Sequence, residues 1–152
     1  SLLELAEEAS QALSAAAEAK QVQLTVDGTP GRMEGVHRLV YEIVYNLCDN
    51  AIKYNVQGGR VELIVADTAH EASLTVKDTG IGIAPEHQSR VFERFYRVDK
   101  SHSKQSGGTG LGLSIVKHAV LYHHGTIHLE STPGVGTTIT VAFPKAAGGQ
   151  GL

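Results

Sequence analysis

Glu42, Asn46, Asn50, Lys53 and Tyr54 recur at i, i+4, i+8, i+11 and i+12 within one segment. On a helix these side chains share one side. The stripe reads either as a solvated edge or as a site. Asparagine is a mediocre helix former, and two of them one turn apart in mid-helix carry a local cost with no capping role. Their amide oxygens suit a divalent ion or its water shell, and a lysine one turn on can reach a phosphate. Glu42 is the only acid on this stripe. A second candidate, Asp78, ends an alternating run on the face of Leu74 and Val76 and precedes Thr-Gly-Ile-Gly-Ile. It reads as an Asx-turn at a strand end, or as a buried carboxylate accepting from an exocyclic amine, with Gly80 and Gly82 leaving room for a flat ring. In SGGTGLGLSIVK, glycines immediately precede a helical pattern, where backbone N–H groups and the helix dipole favour an anion. The segment is not a dinucleotide fingerprint, whose third glycine would fall on Leu113, nor a P-loop, since Leu113 stands where the lysine should be. VFERFYRVD gathers Phe92, Phe95 and Tyr96 beside Arg94 and Arg97. It is either a short amphipathic helix on the core or a lid anchor whose Arg97 meets a terminal phosphate. The eight histidines show no convincing metal-ligand spacing; His123-His124 reads as helix-end or surface placement. Cys48 has no motif partner.

The positioning elements follow from periodicity. Leu2, Leu5, Ala9, Ala12, Leu13, Ala16 and Ala17 predict an amphipathic helix over 2–20, and QVQLTV predicts a strand over 21–26 ended by DGTPG. Val36, Leu39, Val40, Ile43, Val44, Leu47, Cys48 and Ala51 predict a long helix from Met33 to Tyr54, broken by VQGG. Alternation predicts a hairpin of strands 60–66 and 73–78. Residues 84–109 form a long irregular stretch with one short helix in PEHQSRVFERFYR; such a length is unusual unless the loop is functional, and Ser101–Gly108 is expected to be mobile without ligand and partly ordered with it. A helix over 111–124 with Gly125 at C′ and strands 126–131 and 137–143 around TPGVG complete the chain, with Ile139, Val141 and Phe143 inward. The expected fold is α/β: a two-layer sandwich with one mixed five-stranded sheet and three main helices on one face. Residues 145–152 are expected to be a disordered tail.

The composition narrows the class. The 152 residues suit one domain able to bury a core. A net charge of -3 gives no electrostatic reason to expect nucleic acid or an anionic membrane as partner. No apolar run approaches the roughly 20 residues of a spanning helix. One cysteine, in an apolar context, reads as a core residue in a reducing compartment. The expectation is a cytoplasmic domain, a piece of a larger chain.

Taken in order, NLCDNAIKY, DTGIGI, FERFYR, GTGLGLSIVK and GVGTTI resemble the N box, first glycine box, F box, second glycine box and closing segment of the catalytic, ATP-binding domain of bacterial sensor histidine kinases. This domain belongs to the superfamily shared with DNA gyrase, Hsp90 and MutL. The resemblance covers about residues 1–144. It implies the Bergerat-type sandwich with a long ATP lid, Mg²⁺ on Asn50 with Asn46 nearby, and Lys53 on phosphate with Tyr54 on the nucleoside. It further implies Asp78 on the adenine amino group, Gly80, Gly82 and Ile83 shaping the pocket, and Thr137 assisting through water. Tyr96 and Arg97 would come from the lid, and Thr109, Gly110, Leu111, Gly112 and Leu113 would wrap the phosphates. Asn46 and Arg97 are the expected catalytic pair. In the gyrase-like branch a water-activating glutamate takes the place of Asn46; an amide cannot act as a base at neutral pH, so hydrolysis should be slow and the γ-phosphate kept for transfer. The family's phosphoacceptor pattern is missing: only His70 precedes an acid, and it lies in a hairpin loop. The implied partners are therefore a dimerisation and phosphoacceptor domain outside this chain and, through the full kinase, a response regulator. The piece itself is expected to be monomeric, the parent a homodimeric inner-membrane sensor.

Overall fold

The computed structural model describes residues 1–93 and 112–145. Alternation in two adjacent segments sets the architecture. Strands β2 (Arg60–Asp67) and β3 (Glu71–Asp78) pair antiparallel, with Val61, Leu63, Val65, Ala72, Leu74 and Val76 buried on one face. β3 pairs in turn with β5 (Gly136–Pro144), which pairs with β4 (Thr126–Thr132). β1 (Gln23–Gly28) runs parallel to β2, so a crossover must join them, and α3 (His37–Lys53) provides it. The strand order is β1-β2-β3-β5-β4.

Helices close the inner face. α1 (Leu2–Ala12) and α2 (Ser14–Ala19) carry Leu2, Leu5, Ala6, Ala9 and Ala17 into the core. α3 buries Val40, Ile43, Val44, Leu47, Cys48, Ala51 and Ile52, a stripe at helical spacing. A short α4 (Pro85–Gln88) starts with proline at its first position. α5 (Gly112–Tyr122) lies against α3 and buries Val116, Ala119 and Val120 in the core. Each fully buried Val, Leu or Ile side chain contributes ~1.5–3 kcal/mol of apolar transfer. The opposite face stays polar: Glu62, Lys77, Thr138 and Glu130 lie in register across it.

The expected two-layer α/β sandwich and mixed five-stranded sheet are present, with local differences. The helix expected over 2–20 breaks at Leu13 (φ -102°, ψ 6°), where the Ser14 hydroxyl donates to Gln11 O at 2.9 Å. β1 begins two residues late. Gln21 takes a left-handed conformation (φ 59°), and the N–H groups of Gln21 and Val22 donate back to Glu18 O and Ala17 O, a Schellman closure. α5 closes the same way: His124 (φ 60°), not Gly125, is the C′ residue, while Gly125 N–H donates to Val120 O at 2.9 Å. Its neighbour His123 links two helices: Nδ1–H donates to Ala119 O (2.7 Å) and Nε2 accepts the Val36 N–H (3.0 Å) at the start of α3. Only the first turn of the helix expected in PEHQSRVFERFYR is helical among the described residues. Lys145, read with the tail, pairs with Asp67 at 2.6 Å, and residues 146–152 lie outside the described part. No helix among the described residues is long and apolar enough to cross a membrane.

Candidate functional site

The inner face of the sheet is built in rows. Leu74, Val141 and Ile127 are in register, then Val76, Ile139 and Leu129, then Asp78, Thr137 and Ser131. The period-two alternation continues through all three rows, and in the last one the side chains turn polar. Asp78 is half-buried and Thr137 buried. Asp78 Oδ1 accepts two backbone N–H groups, from Gly80 (2.9 Å) and Thr137 (3.1 Å). Its Oδ2 accepts nothing from the described residues, which leaves one lone-pair edge of a fixed carboxylate for an outside donor. Burial pushes the Asp78 carboxyl above its ordinary range, and the two N–H bonds oppose this.

The loop after Asp78 is pressed against the end of α3. Ile81 N–H donates to Tyr54 O at 3.1 Å. A Cβ on Gly80 would stand 2.4 Å from Tyr54 O, so no larger residue fits without displacing backbone. Gly82 has φ +75°, a conformation that disfavours any side chain. Ile83 follows, its N–H held by the Ser131 hydroxyl at 2.7 Å.

α3 presents its polar stripe beside this loop. Asn46 Nδ2 donates to Glu42 O at 2.7 Å, so the direction of its amide is set and Oδ1 faces away from that carbonyl. A Cβ at Gly112 would lie 3.3 Å from Asn46 Oδ1, which places the start of α5, with Leu113 next, beside this oxygen. Asn50 is half-buried and makes no side-chain hydrogen bond to a described residue. Lys53 pairs with Asp49 at 3.0 Å. Tyr54, 39% exposed, closes the helix. Lys20 Nζ donates to Lys53 O and caps the same helix end; burial lowers its pKa.

Asn46, Asn50, Tyr54, Asp78, Gly80, Gly82 and Gly112 are thus brought to one end of the molecule by the α3–loop and α3–α5 contacts. Tyr96, Arg97, Thr109, Gly110 and Leu111, like Ser101–Gly108, lie outside the described residues. Sequence reasoning passed over three residues. Asp49 adds a second acid beside Glu42: at 100° per residue it borders the stripe, about 20° from Glu42 and about 40° from Lys53. Asn55, 4% exposed, donates to Arg60 O (3.0 Å) and accepts the Val56 N–H (2.8 Å), joining α3 to β2. Ser131 completes the polar row. No group of three or more His, Cys, Asp or Glu that could hold a metal occurs among the described residues. Asn46 and Asn50 offer amide oxygens, which suit a hard ion that keeps water and phosphate oxygens in its shell. Cys48 is no nucleophile: burial, then the Asp49 charge, pushes its thiol up to about 12.

The comparisons agree with this architecture. The curated relatives include the sensor-like histidine kinase SenX3 of Mycolicibacterium smegmatis, 44% identical over 131 residues, covering 86% of this chain and 34% of that protein. The phosphate regulon sensor protein PhoR of Pseudomonas aeruginosa is 39% identical over 137 residues, covering 90% of this chain and 30% of that protein. The chain therefore spans about a third of the length of these relatives. Among solved structures, the mycobacterial sensor histidine kinase MprB superposes with a TM-score of 0.80 at 30% identity, covering 93% of this chain and 92% of that one. Full-length ShkA in complex with AMPPNP gives 0.82 at 24% identity, covering 96% of this chain and 31% of that one, a likeness of fold. The profile of the histidine kinase-, DNA gyrase B-, and HSP90-like ATPases matches residues 35–147, and the chain belongs to that family.

Proposed function

We propose that residues 1–144 are the ATP-binding catalytic domain of a two-component sensor histidine kinase, which supplies the γ-phosphate to a histidine on a dimerisation domain outside this chain. The observation that carries this reading is Asp78, whose Oδ1 is pinned by two N–H groups while Oδ2 takes none from the described residues. An adenine amino group donates to such an oxygen; the carbonyl of guanine faces it with a lone pair. Gly80, Gly82 and Ile83 would border the base, and Thr137 would reach it through water. Lys53 and Tyr54 would meet phosphate and nucleoside, the former by exchanging Asp49 for phosphate. Gly112 and Leu113 at the start of α5 would face the phosphates, joined by Thr109, Gly110 and Leu111, with Tyr96 and Arg97 from the lid. Asn50 would hold Mg²⁺ with Asn46 nearby, and the outward Oδ1 of Asn46 supports that role. Bound Mg²⁺ supplies charge neutralisation across the phosphates.

A freestanding ATPase would need a carboxylate where Asn46 stands. Asn46 is neutral, with its nitrogen committed to Glu42 O, so slow phosphate release is expected. The remaining partners are a response regulator reached through the full kinase and a second parent subunit. The parent's place at an inner membrane, with this domain on the cytoplasmic side, belongs to the same proposal. Calorimetric titration of ATP and GTP, with and without Mg²⁺, tests the reading. ATP should bind roughly tenfold to a hundredfold tighter than GTP, from a polar mismatch of about 1–3 kcal/mol. Equal affinities would refute the role of Asp78.

A further inference from the structure

We infer that Ser131 is a positioning residue for the base end of the site, an inference that rests on the nucleotide reading above. Ser131 closes the polar row, opposite Thr137 and two strands from Asp78. Its hydroxyl meets three groups at once: the Ile83 N–H (2.7 Å), Gly136 O (3.0 Å) and Thr137 Oγ1 (2.7 Å). A hydroxyl has one proton and two lone pairs, so the directions are constrained. Ile83 N–H can only donate and Gly136 O can only accept. With the Ser131 proton on Gly136 O, the short contact requires the Thr137 hydroxyl to donate to Ser131. Thr137 then has no proton left and shows lone pairs to the pocket, while its own N–H holds Asp78 Oδ1 at 3.1 Å. Water beside Thr137 is thereby turned to donate to it, with a second proton free for the acceptor nitrogen of adenine. The ring nitrogen of a 6-oxo purine carries a proton and gains nothing from that water.

Ser131 also anchors the backbone that leaves the pocket. Gln88 Nε2 donates to Ile83 O (2.8 Å) and to Ser131 O (3.1 Å), so both polar groups of the Ile83 backbone are tied to Ser131, one directly and one through Gln88. Ser131 therefore joins the adenine-reading pair Asp78 and Thr137 to the first residues after the DTGIG loop. It touches the ligand only through these neighbours.

The test uses ATP and inosine triphosphate, which carries a 6-oxo group and a protonated ring nitrogen. Ser131→Ala frees the Thr137 proton and removes the acceptor for Ile83 N–H. The ratio of the two affinities should fall about threefold to tenfold, the worth of one hydrogen bond. Ser131→Thr keeps the hydroxyl on a strand residue and should restore the ratio. In a Thr137→Val background, Ser131→Ala should change the ratio no further, because the effect passes through Thr137. Melting curves check folding, and if the alanine variant does not fold, Ser131→Cys, a weaker acceptor of similar size, takes its place. A parental ratio in the alanine or cysteine variant, or an equal further loss in the Thr137→Val background, would overturn the inference while ATP binding by the parent leaves the function standing. Failure of the parent itself to bind ATP would overturn both.

Discussion

Replacing Asp78 by asparagine changes one heavy atom and should reverse a preference. In the parent, Oδ1 accepts from Gly80 at 2.9 Å and Thr137 at 3.1 Å. An asparagine oxygen can keep both bonds, which puts an NH₂ where Oδ2 was. Against ATP, donor then faces donor. Losing a charge-assisted hydrogen bond costs ~1.5–3 kcal/mol, or about 10- to 150-fold in Kd. Against inosine triphosphate the same NH₂ meets a carbonyl, so affinity should rise. Stability should move the other way from ATP affinity. Burial holds the Asp78 carboxyl above its ordinary range, so the folded protein takes up its proton at higher pH than the unfolded chain. The ionised group therefore costs stability at neutral pH, and the cost is relieved as pH falls through the raised pKa. Asp78→Asn should melt above the parent at pH 7, with the gap narrowing as pH falls toward about 4. Paired titrations with both nucleotides and melts across this range read all three effects. Unchanged ATP affinity and an unchanged ATP-to-inosine triphosphate ratio would refute the reasoning.

Three further outcomes are expected. Gly80→Ala sets a Cβ 2.4 Å from Tyr54 O and should cost ~1–3 kcal/mol in thermal melts and weaken ATP binding; a parental melt would mean the loop gives way freely. Asn50→Ala should abolish the gain in ATP affinity that Mg²⁺ brings while leaving metal-free affinity unchanged, as read by calorimetry. Lys145 beside Asp67 holds that carboxyl below its ordinary range, so the stabilisation is present at neutral pH and lost as pH falls through the lowered pKa. Lys145→Met should lower the melting temperature at pH 7, and the deficit should vanish once acid has protonated Asp67; an equal deficit at all pH values would exclude the ion pair as its cause.

What the sequence shows, and what it hides, follows from which interactions are local. The α3 stripe and the inward place of Asp78 are set by 3.6- and 2-residue periods, so both were legible. Ser131 was not, because a polar residue at a strand end beside TPGVG looks like turn chemistry. Its meaning depends on the β4–β5 register and on Ile83 arriving from 48 residues away. Asn55 was hidden for the same reason: its partners lie on β2. Asp49, at i+7 from Glu42, was readable from helix geometry alone and was missed because the series was counted in fours from Glu42. His124 at C′ shows glycine's preference losing to local context: Gly125 is needed one place later, where a Cβ would stand 2.6 Å from Ala142 O.

Phosphoryl transfer itself tests the central claim most directly. The chain, alone and within a longer chain that includes the parent's dimerisation helices, is incubated with γ-labelled Mg-ATP, and acid-labile phosphate is mapped. Transfer needs an acceptor in line with the γ-phosphate. His70, the one histidine here that precedes an acid, sits in the β2–β3 turn, where its N–H donates to Thr68 Oγ1 at 3.2 Å. The chain alone should bind ATP and stay unlabelled, and the longer chain should carry label on a histidine of the added segment. Acid-labile phosphate on the chain alone, at His70 above all, or rapid release of phosphate without any label, would contradict the assignment.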